Sequence, residues 1–163
     1  MKFFFALLLV PLFSASQTVH VKEGSIVYEG KEKVTGVSAS EISKKIRNIL
    51  PSLVDNYKID KQSANGVRVR GELNLKTPFN IIRTVHYSIE LKAIEDGYEY
   101  LIDSVSFTEQ KRGEKPGTKS SKEVLDDMGE QGAIVGETEK LLNETDMRFQ
   151  QLLALVRSGI GRN

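Results

Sequence analysis

Apolar residues recur with two different periods along this chain, and the two periods separate predicted helices from predicted strands. The first helical stripe repeats at intervals of three and four, which is the spacing of one face of an α-helix. Its members are Ile42, Ile46, Ile49, Leu50 and Leu53. Ser38 and Glu41 precede the stripe in the pattern of a capping box, whose side chains hydrogen-bond backbone N–H groups of the first turn. A helix is therefore predicted to begin after Ser38 and to end or kink at Pro51.

A longer helical stripe lies near the end of the chain. Its members are Thr138, Leu141, Leu142, Thr145, Phe149, Leu152, Leu153 and Val156. Gly159 predicts the end of this helix, because glycine favours the position that follows a helix. A shorter helix is predicted over residues 122–128. The glycines Gly129, Gly132 and Gly136 predict a break between the two helices.

Between the helical stripes the apolar period changes to two, which is the period of a β-strand with one buried face. The clearest strand buries Val85, Tyr87, Ile89, Leu91 and Ala93. Further strands are predicted over residues 25–34, 57–61, 67–75 and 98–107. The first of them contains several lysines, which favour the edge of a sheet.

Two local patterns predict how these strands are connected and where they are irregular. Asn65-Gly66 predicts a two-residue hairpin, because both residues tolerate positive φ. Residues 95–97 predict a second turn, so that the strand after it pairs with the strand before it. In that returning strand the adjacent apolar residues Leu101 and Ile102 interrupt the alternation, and we interpret the slip as a β-bulge.

The order of elements is strand, helix, a run of antiparallel strands and helix. This order indicates an α+β fold in which two helices pack on one face of an antiparallel sheet. The opposite face is expected to be exposed, and we call it the open sheet face. Its candidate interaction residues are Arg68, Arg70, Glu72, His86, Glu90 and Lys92. Residues 109–121 are charged and without period, and they are expected to form an exposed, mobile loop.

The first sixteen residues have the pattern of a secretory signal peptide. Lys2 is followed by an apolar run that ends at Phe13 and by the small residues Ser14 and Ser16. The run is shorter than the roughly 20 residues that a membrane-spanning helix needs. We therefore expect cleavage near Ser16, export, and one α+β domain over residues 17–163 with its core at about 26–157.

Composition limits the function further. The chain has 163 residues, 39% of them apolar, so one domain with a single core is expected. It carries 23 Lys and Arg against 22 Asp and Glu. Lys2 lies in the leader, so the mature chain is formally neutral and lacks the basic patch typical of nucleic-acid binding. The absence of cysteine excludes disulfides and thiolate metal sites, and in an exported protein it favours a bacterial envelope, either periplasmic or secreted.

The sequence resembles a family of exported Bacteroidetes proteins, domain-of-unknown-function family 4468, which has a fold like that of TATA-binding protein. The resemblance is carried by the leader, the Val27-Tyr28-Glu29 strand, the helix start at residues 36–41, the strand at residues 97–105 and the long C-terminal helix. It covers about residues 26–156. It implies the strand–helix–strands–helix layout and an envelope location. The family has no established activity, so the resemblance implies no catalytic residues and no cofactor.

The residues that catalysis would need are sparse. A Ser-His-acid site would have to combine His86 with Ser88 and with Glu72 or Glu90. A histidine on a polar strand face is more simply a solvated side chain. His20 and His86 are the two histidines of the chain, and they are too far apart in sequence to begin a zinc site.

Paired carboxylates offer a second route to catalysis. Glu72, Glu90 and Glu99 could face one another as a glycosidase pair would. Arginines and a lysine lie among them, so cross-strand ion pairs are the simpler interpretation.

We therefore interpret the protein as an exported binding or interaction domain without enzymatic activity, which acts through the open sheet face or residues 109–121. Two alternatives remain: an envelope hydrolase whose site is scattered along the sequence, and a structural component of the envelope. A cleft that joins His86 with two acids would favour the hydrolase. A flat, solvated sheet would favour the binding domain.

Overall fold

The computed structural model describes residues 19–75, 81–127 and 132–161, and within the last range it describes side chains from residue 136 onward. The predicted signal peptide and Gly129 lie outside these ranges.

Eight strands and three helices follow one another along the described ranges. The strands are β1 (Val21–Lys22), β2 (Ser25–Ile26), β3 (Tyr28–Lys33), β4 (Asp55–Gln62), β5 (Gly66–Leu75), β6 (Ile81–Ile94), β7 (Gly97–Lys111) and β8 (Gly117–Ser120). The helices are α1 (Ala39–Leu53), α2 (Ser121–Asp127) and α3 (Gly132–Gly161).

Strands β3 to β8 form one antiparallel sheet, in the order β3-β7-β6-β5-β4. Strand β8 also pairs with β7, over Ser106–Glu109, whereas β3 pairs with Gly97–Ile102. Strand β3 lies at the sheet edge, as its lysines predicted. The α+β class is confirmed, since helices α1 and α3 pack against one face of this antiparallel sheet.

The core lies between the sheet and the two long helices. Strand β6 buries the five alternating residues that the sequence predicted. From α1, the side chains of Ile42, Ile46 and Leu50 are fully buried against them. Full burial of such a side chain contributes about 1.5–3 kcal/mol. The capping box at Ser38 is present, with the Glu41 carboxylate accepting from the Ser38 N–H at 3.0 Å. Pro51 lies in the last turn of α1 and does not end it.

Two of the glycine signals near the end of the chain were interpreted wrongly. Helices α2 and α3 are separate, as predicted, and Gly132 begins α3, but Gly136 lies inside α3 and the helix continues past Gly159 to Gly161. Glycine occupies position 159 because α1 and α3 pack closely there. A Cβ at that position would lie 3.1 Å from Cγ2 of Ile49 in α1, so the missing side chain lets α1 and α3 approach.

The first predicted hairpin is present, but its turn is displaced. Gly66 begins β5 and is buried, and neither it nor Asn65 has positive φ. The backbone N–H of Ser63 donates to the carbonyl of Gly66 at 2.9 Å, which moves the turn one residue earlier than predicted. Glycine is needed at position 66 for space, since a Cβ there would lie 3.0 Å from the Leu91 carbonyl oxygen.

Strand β7 contains a bulge, but not at Leu101 and Ile102, where it was predicted, because these residues pair regularly with Glu90 and Ile89. Its register against β6 shifts between the pairs His86↔Ser106 and Ser88↔Asp103. Ser104, inside the shift, has a φ of 54°, a left-handed conformation that is unusual for serine. The buried positions consequently step from Ile102 to Val105 instead of alternating.

Residues 109–121 form a hairpin and not the irregular loop that was predicted. Strand β7 extends to Lys111, residues 112–116 turn the chain, and β8 returns along β7. Ser120 then caps α2, accepting from the Glu123 N–H at 3.3 Å. The predicted exposure is confirmed, because every residue from 110 to 120 is exposed. The pairing was missed because exposed strand residues carry no apolar period.

Candidate functional site

The open sheet face is a row of cross-strand ion pairs. Arg68 lies between two carboxylates, 3.3 Å from Glu90 and in hydrogen-bond contact with Asp103. The hydrogen bond to Asp103 raises the pKa of the Arg68 guanidinium. Arg70 pairs with Asp60 of β4 at 2.6 Å. Ion pairing among these charges, which the sequence favoured over a glycosidase pair, is therefore what the structure shows.

The ladder of charges continues toward β3. Lys31 pairs with Glu99 at 2.6 Å, and the hydrogen bond from Lys31 lowers the pKa of Glu99. Lys92 lies beside these residues and has no ion pair in the described ranges. Together with Glu29, Gly30, Glu90, Tyr100 and Leu101 they line a shallow depression of about 430 Å³. It does not include His86.

His86 occupies the middle of a hydrogen-bonded chain of side chains. Its Nδ1 lies 3.2 Å from Glu72 Oε1, and its Nε2 lies 2.9 Å from Thr108 Oγ1. The Thr108 hydroxyl also lies 3.0 Å from that of Thr118. Asn56 donates to the second oxygen of Glu72.

The acid–histidine–hydroxyl combination considered from the sequence is only partly assembled. Glu72 contacts His86, but Glu90 is engaged by Arg68, and Ser88 lies in register with Asp103 in the sheet with 4% exposure. The hydroxyl partner is Thr108, which sequence reasoning missed. His86 lies opposite Ser106 and Thr108 lies opposite Thr84, so the contact is diagonal across the two strands. The register that allows it depends on the bulge in β7, so the sequence periods alone did not reveal the contact.

A larger concavity lies where the β7–β8 hairpin meets α2 and α3, and its lining also includes Thr108, the hydroxyl partner of His86. We call it the hairpin cleft, and its volume is about 810 Å³. Its described apolar floor consists of Phe107, Val124 and Leu141. Phe107 and Val124 are only 7% and 4% exposed, so they are held rigidly by the core beneath them. Thr138 of α3 adds a hydroxyl to the lining.

Two ion-pair clusters brace the sides of the hairpin cleft. Arg83 of β6 contacts Glu109 at 2.6 Å and Glu137 of α3 at 3.2 Å. Lys119 of β8 contacts Asp127 of α2 at 2.6 Å, and this hydrogen bond raises the pKa of Lys119. The hairpin is thereby tied to the helices on both sides of the opening.

The rim of the hairpin cleft carries a second set of charged residues, separate from the ion pairs at its sides. Lys111, Glu114 and Lys115 line the cleft and are exposed. In the part of the chain that the structure describes, none of the three side chains has an ion-pair partner. Sequence reasoning placed residues 109–121 among the candidates but could not show that they enclose a cleft, because Val124 and Leu141 reach it from two separate helices.

Among the described residues, no group of three or more His, Asp or Glu side chains is placed to hold a metal ion. No described helix combines the length and the apolar character needed to cross a bilayer.

The sequence matches no family model and no curated protein. Among the solved structures that match, two share the fold over most of this chain. A TBP-like protein from Parabacteroides distasonis ATCC 8503 superimposes with a TM-score of 0.71 at 14% identity, covering 87% of this chain and 96% of the other. A DUF4468 family protein from Bacteroides ovatus ATCC 8483 gives a TM-score of 0.67 at 14% identity, covering 92% and 93%. The expected resemblance is confirmed as a likeness of fold.

Proposed function

We propose that this protein is an exported binding domain without enzymatic activity and that its ligand occupies the hairpin cleft. The proposal rests on the cleft itself, which has a volume of about 810 Å³ and an apolar floor. Ligand sites in proteins are concavities of roughly 300–1,000 Å³ with apolar walls and a few polar groups. The hairpin cleft has both properties.

The open sheet face is the weaker candidate for the binding site. Five of its six candidate residues already bond to protein partners, namely Arg68, Arg70, Glu72, His86 and Glu90. A ligand would have to replace those contacts, and exposed ion pairs that are already formed offer little net energy to a partner.

Binding in the cleft is tested with a neutral probe followed by protein-observed NMR. We expect indole to shift the amide resonances of residues around Phe107, Val124 and Leu141. The variant Leu141→Trp fills the cleft and should abolish the shifts. Leu155→Trp is the matched control, since Leu155 lies on the same helix with 54% exposure. The proposal is wrong if indole shifts only the open sheet face, or nothing.

Export is tested separately from binding. The leader pattern at residues 1–16 supports it. N-terminal sequencing of the protein from a bacterial envelope fraction should give a chain that begins close to Gln17. An intact leader on cytosolic protein would contradict export while leaving the cleft proposal untouched.

A hydrolase is the second candidate function, and one observation favours it. Glu72, His86 and Thr108 form an acid–base–hydroxyl chain with contacts of 3.2 and 2.9 Å. The chain lies on an open sheet face, whereas hydrolytic triads act in sites that exclude water and hold oxyanion donors. Turnover of p-nitrophenyl acetate that is lost in Thr108→Val and kept in Thr84→Val would establish this alternative.

A further inference from the structure

We propose that the ligand of the hairpin cleft is an anionic amphiphile, a molecule with an apolar body and one carboxylate or phosphate head group. This rests on the proposed function, since it names the chemical class that the same cleft would take. The two parts of the ligand correspond to two parts of the site: the apolar floor and the charged hairpin turn.

The floor selects for an apolar body. Phe107 comes from β7, Val124 from α2 and Leu141 from α3, so three separate elements supply the apolar surface. Water in contact with such a surface is displaced favourably by a hydrocarbon group. Because the two most buried of these residues belong to the core, the floor is formed before any ligand binds.

The charges at the two ends of the cleft already have partners. Lys119 is neutralised by Asp127, whereas Arg83 is shared between Glu109 and Glu137, which leaves one net negative charge at that end. The cationic charge available to a ligand is therefore that of the turn. Residues 111–115 contain three cations, Lys111, Arg112 and Lys115, against the single carboxylate of Glu114. All are exposed.

Lys111 and Lys115 are placed where their positive charge can act on a molecule bound in the cleft. Lys111 and Lys115 line the cleft at its rim, and neither has an ion-pair partner within the described ranges. A head group there would meet two ammonium groups while the body rests on the floor. Cations beside a low-dielectric wall attract an anion more strongly than the same cations surrounded by water.

The test compares three molecules that share one hydrocarbon chain: decanoate, decyl phosphate and decanol. We expect calorimetric titration of the full mature chain to show tighter binding of decanoate or decyl phosphate than of decanol. The tighter of the two anions identifies the head group. Leu141→Trp should abolish binding of all three.

Charge variants then test the role of the turn. Lys111→Gln with Lys115→Gln should weaken binding of the anions about three- to tenfold and leave decanol unchanged. Glu114→Gln should have the opposite sign and strengthen anion binding. Lys58→Gln with Lys61→Gln removes the same charge from the exposed β4 strand and serves as the control.

The possible failures are distinguishable. Equal affinity for decanoate and decanol, unaffected by the lysine changes, would overturn the anionic preference. Binding of indole in the cleft without binding of any of the three amphiphiles would overturn the ligand class and leave the binding function standing. Failure of indole as well would remove the proposed function itself.

Discussion

The hydroxyl of Tyr28 donates a hydrogen bond of 2.7 Å to the carboxylate of Asp146. Tyr28 belongs to β3 and Asp146 to α3, and their exposures are 3% and 2%. The bond therefore joins the first strand of the large sheet to the last helix in an environment without solvent. A buried carboxylate is costly unless a donor satisfies it.

Removing that donor should destabilise the fold. We expect Tyr28→Phe to lower the free energy of unfolding by about 1–3 kcal/mol, because it leaves a buried carboxylate without its partner. Urea denaturation followed by circular dichroism measures the change. Tyr100→Phe, in half-buried surroundings, is the control and should have little effect. Equal stability of the two variants would contradict the role of the bond.

Tyr87 is buried like Tyr28, but replacing it with phenylalanine is predicted to have a different effect on the free energy of unfolding. Its hydroxyl is buried with no hydrogen-bond partner among the described residues, and its ring packs edge-on against Phe149 at 5.1 Å. Tyr87→Phe removes an unsatisfied polar atom and keeps the ring. We expect stability to be unchanged or higher in the same urea experiment. A loss as large as that of Tyr28→Phe would mean that the hydroxyl has a partner after all.

The buried tyrosines predict unfolding at alkaline pH. Burial raises the pKa of Tyr98 to about 12, and burial likewise raises the pKa values of Tyr28 and Tyr87. In the unfolded chain these phenols release their protons near pH 10, while the folded chain retains them. The stabilisation is therefore complete below about pH 10 and is lost as the pH rises above it.

Ultraviolet absorbance of tyrosinate, recorded together with circular dichroism, measures this dependence. We expect part of the tyrosine signal to appear only as the fold is lost. Complete ionisation at about pH 10 with an intact fold would contradict the prediction.

Two glycines with positive φ should respond differently to alanine. Gly97 has a φ of 154°, and a Cβ there would lie 1.9 Å from the Glu32 carbonyl oxygen in the adjacent strand. Gly97→Ala should therefore cost more than about 3 kcal/mol, since backbone must move as well as adopt a strained conformation. Gly113 has a φ of 84° with no atom within 4 Å of such a Cβ.

Gly113→Ala should cost only about 1–2 kcal/mol, the strain of the left-handed conformation itself. Thermal unfolding of both variants provides the comparison. Similar melting temperatures for the two would show that contact with β3 does not determine the cost.

Local periods in the sequence predicted most of the fold, because each signal acts within one element. The stripe from Ile42 to Leu53 gave α1, and the alternation from Val85 to Ala93 gave β6. Glycine was harder to interpret. Gly159 and Gly66 are glycines because another chain segment approaches closely, and no local pattern records such an approach.

In the candidate site, too, contacts between neighbouring strands could be predicted, whereas contacts between elements distant in sequence could not. The pairing of Arg68 with Glu90 follows from neighbouring strands whose register the hairpins fix, so it could be anticipated. The hairpin cleft could not, since its floor joins β7 to two helices that are adjacent only after folding. Strand β8, with four exposed residues, gave no signal that its segment was ordered.

The place of β7 in the sheet also determines when the fold can be completed. Strand β3 and strand β8 both pair with the same edge of β7, one on each side of the bulge. Strand β7, which pairs with β3, is synthesised roughly seventy residues after it. Contacts so distant in sequence form slowly. Until then β3 has no neighbouring strand in the large sheet and stays open to proteases and chaperones, so a ribosome-bound chain that lacks β7 should be recognised by both.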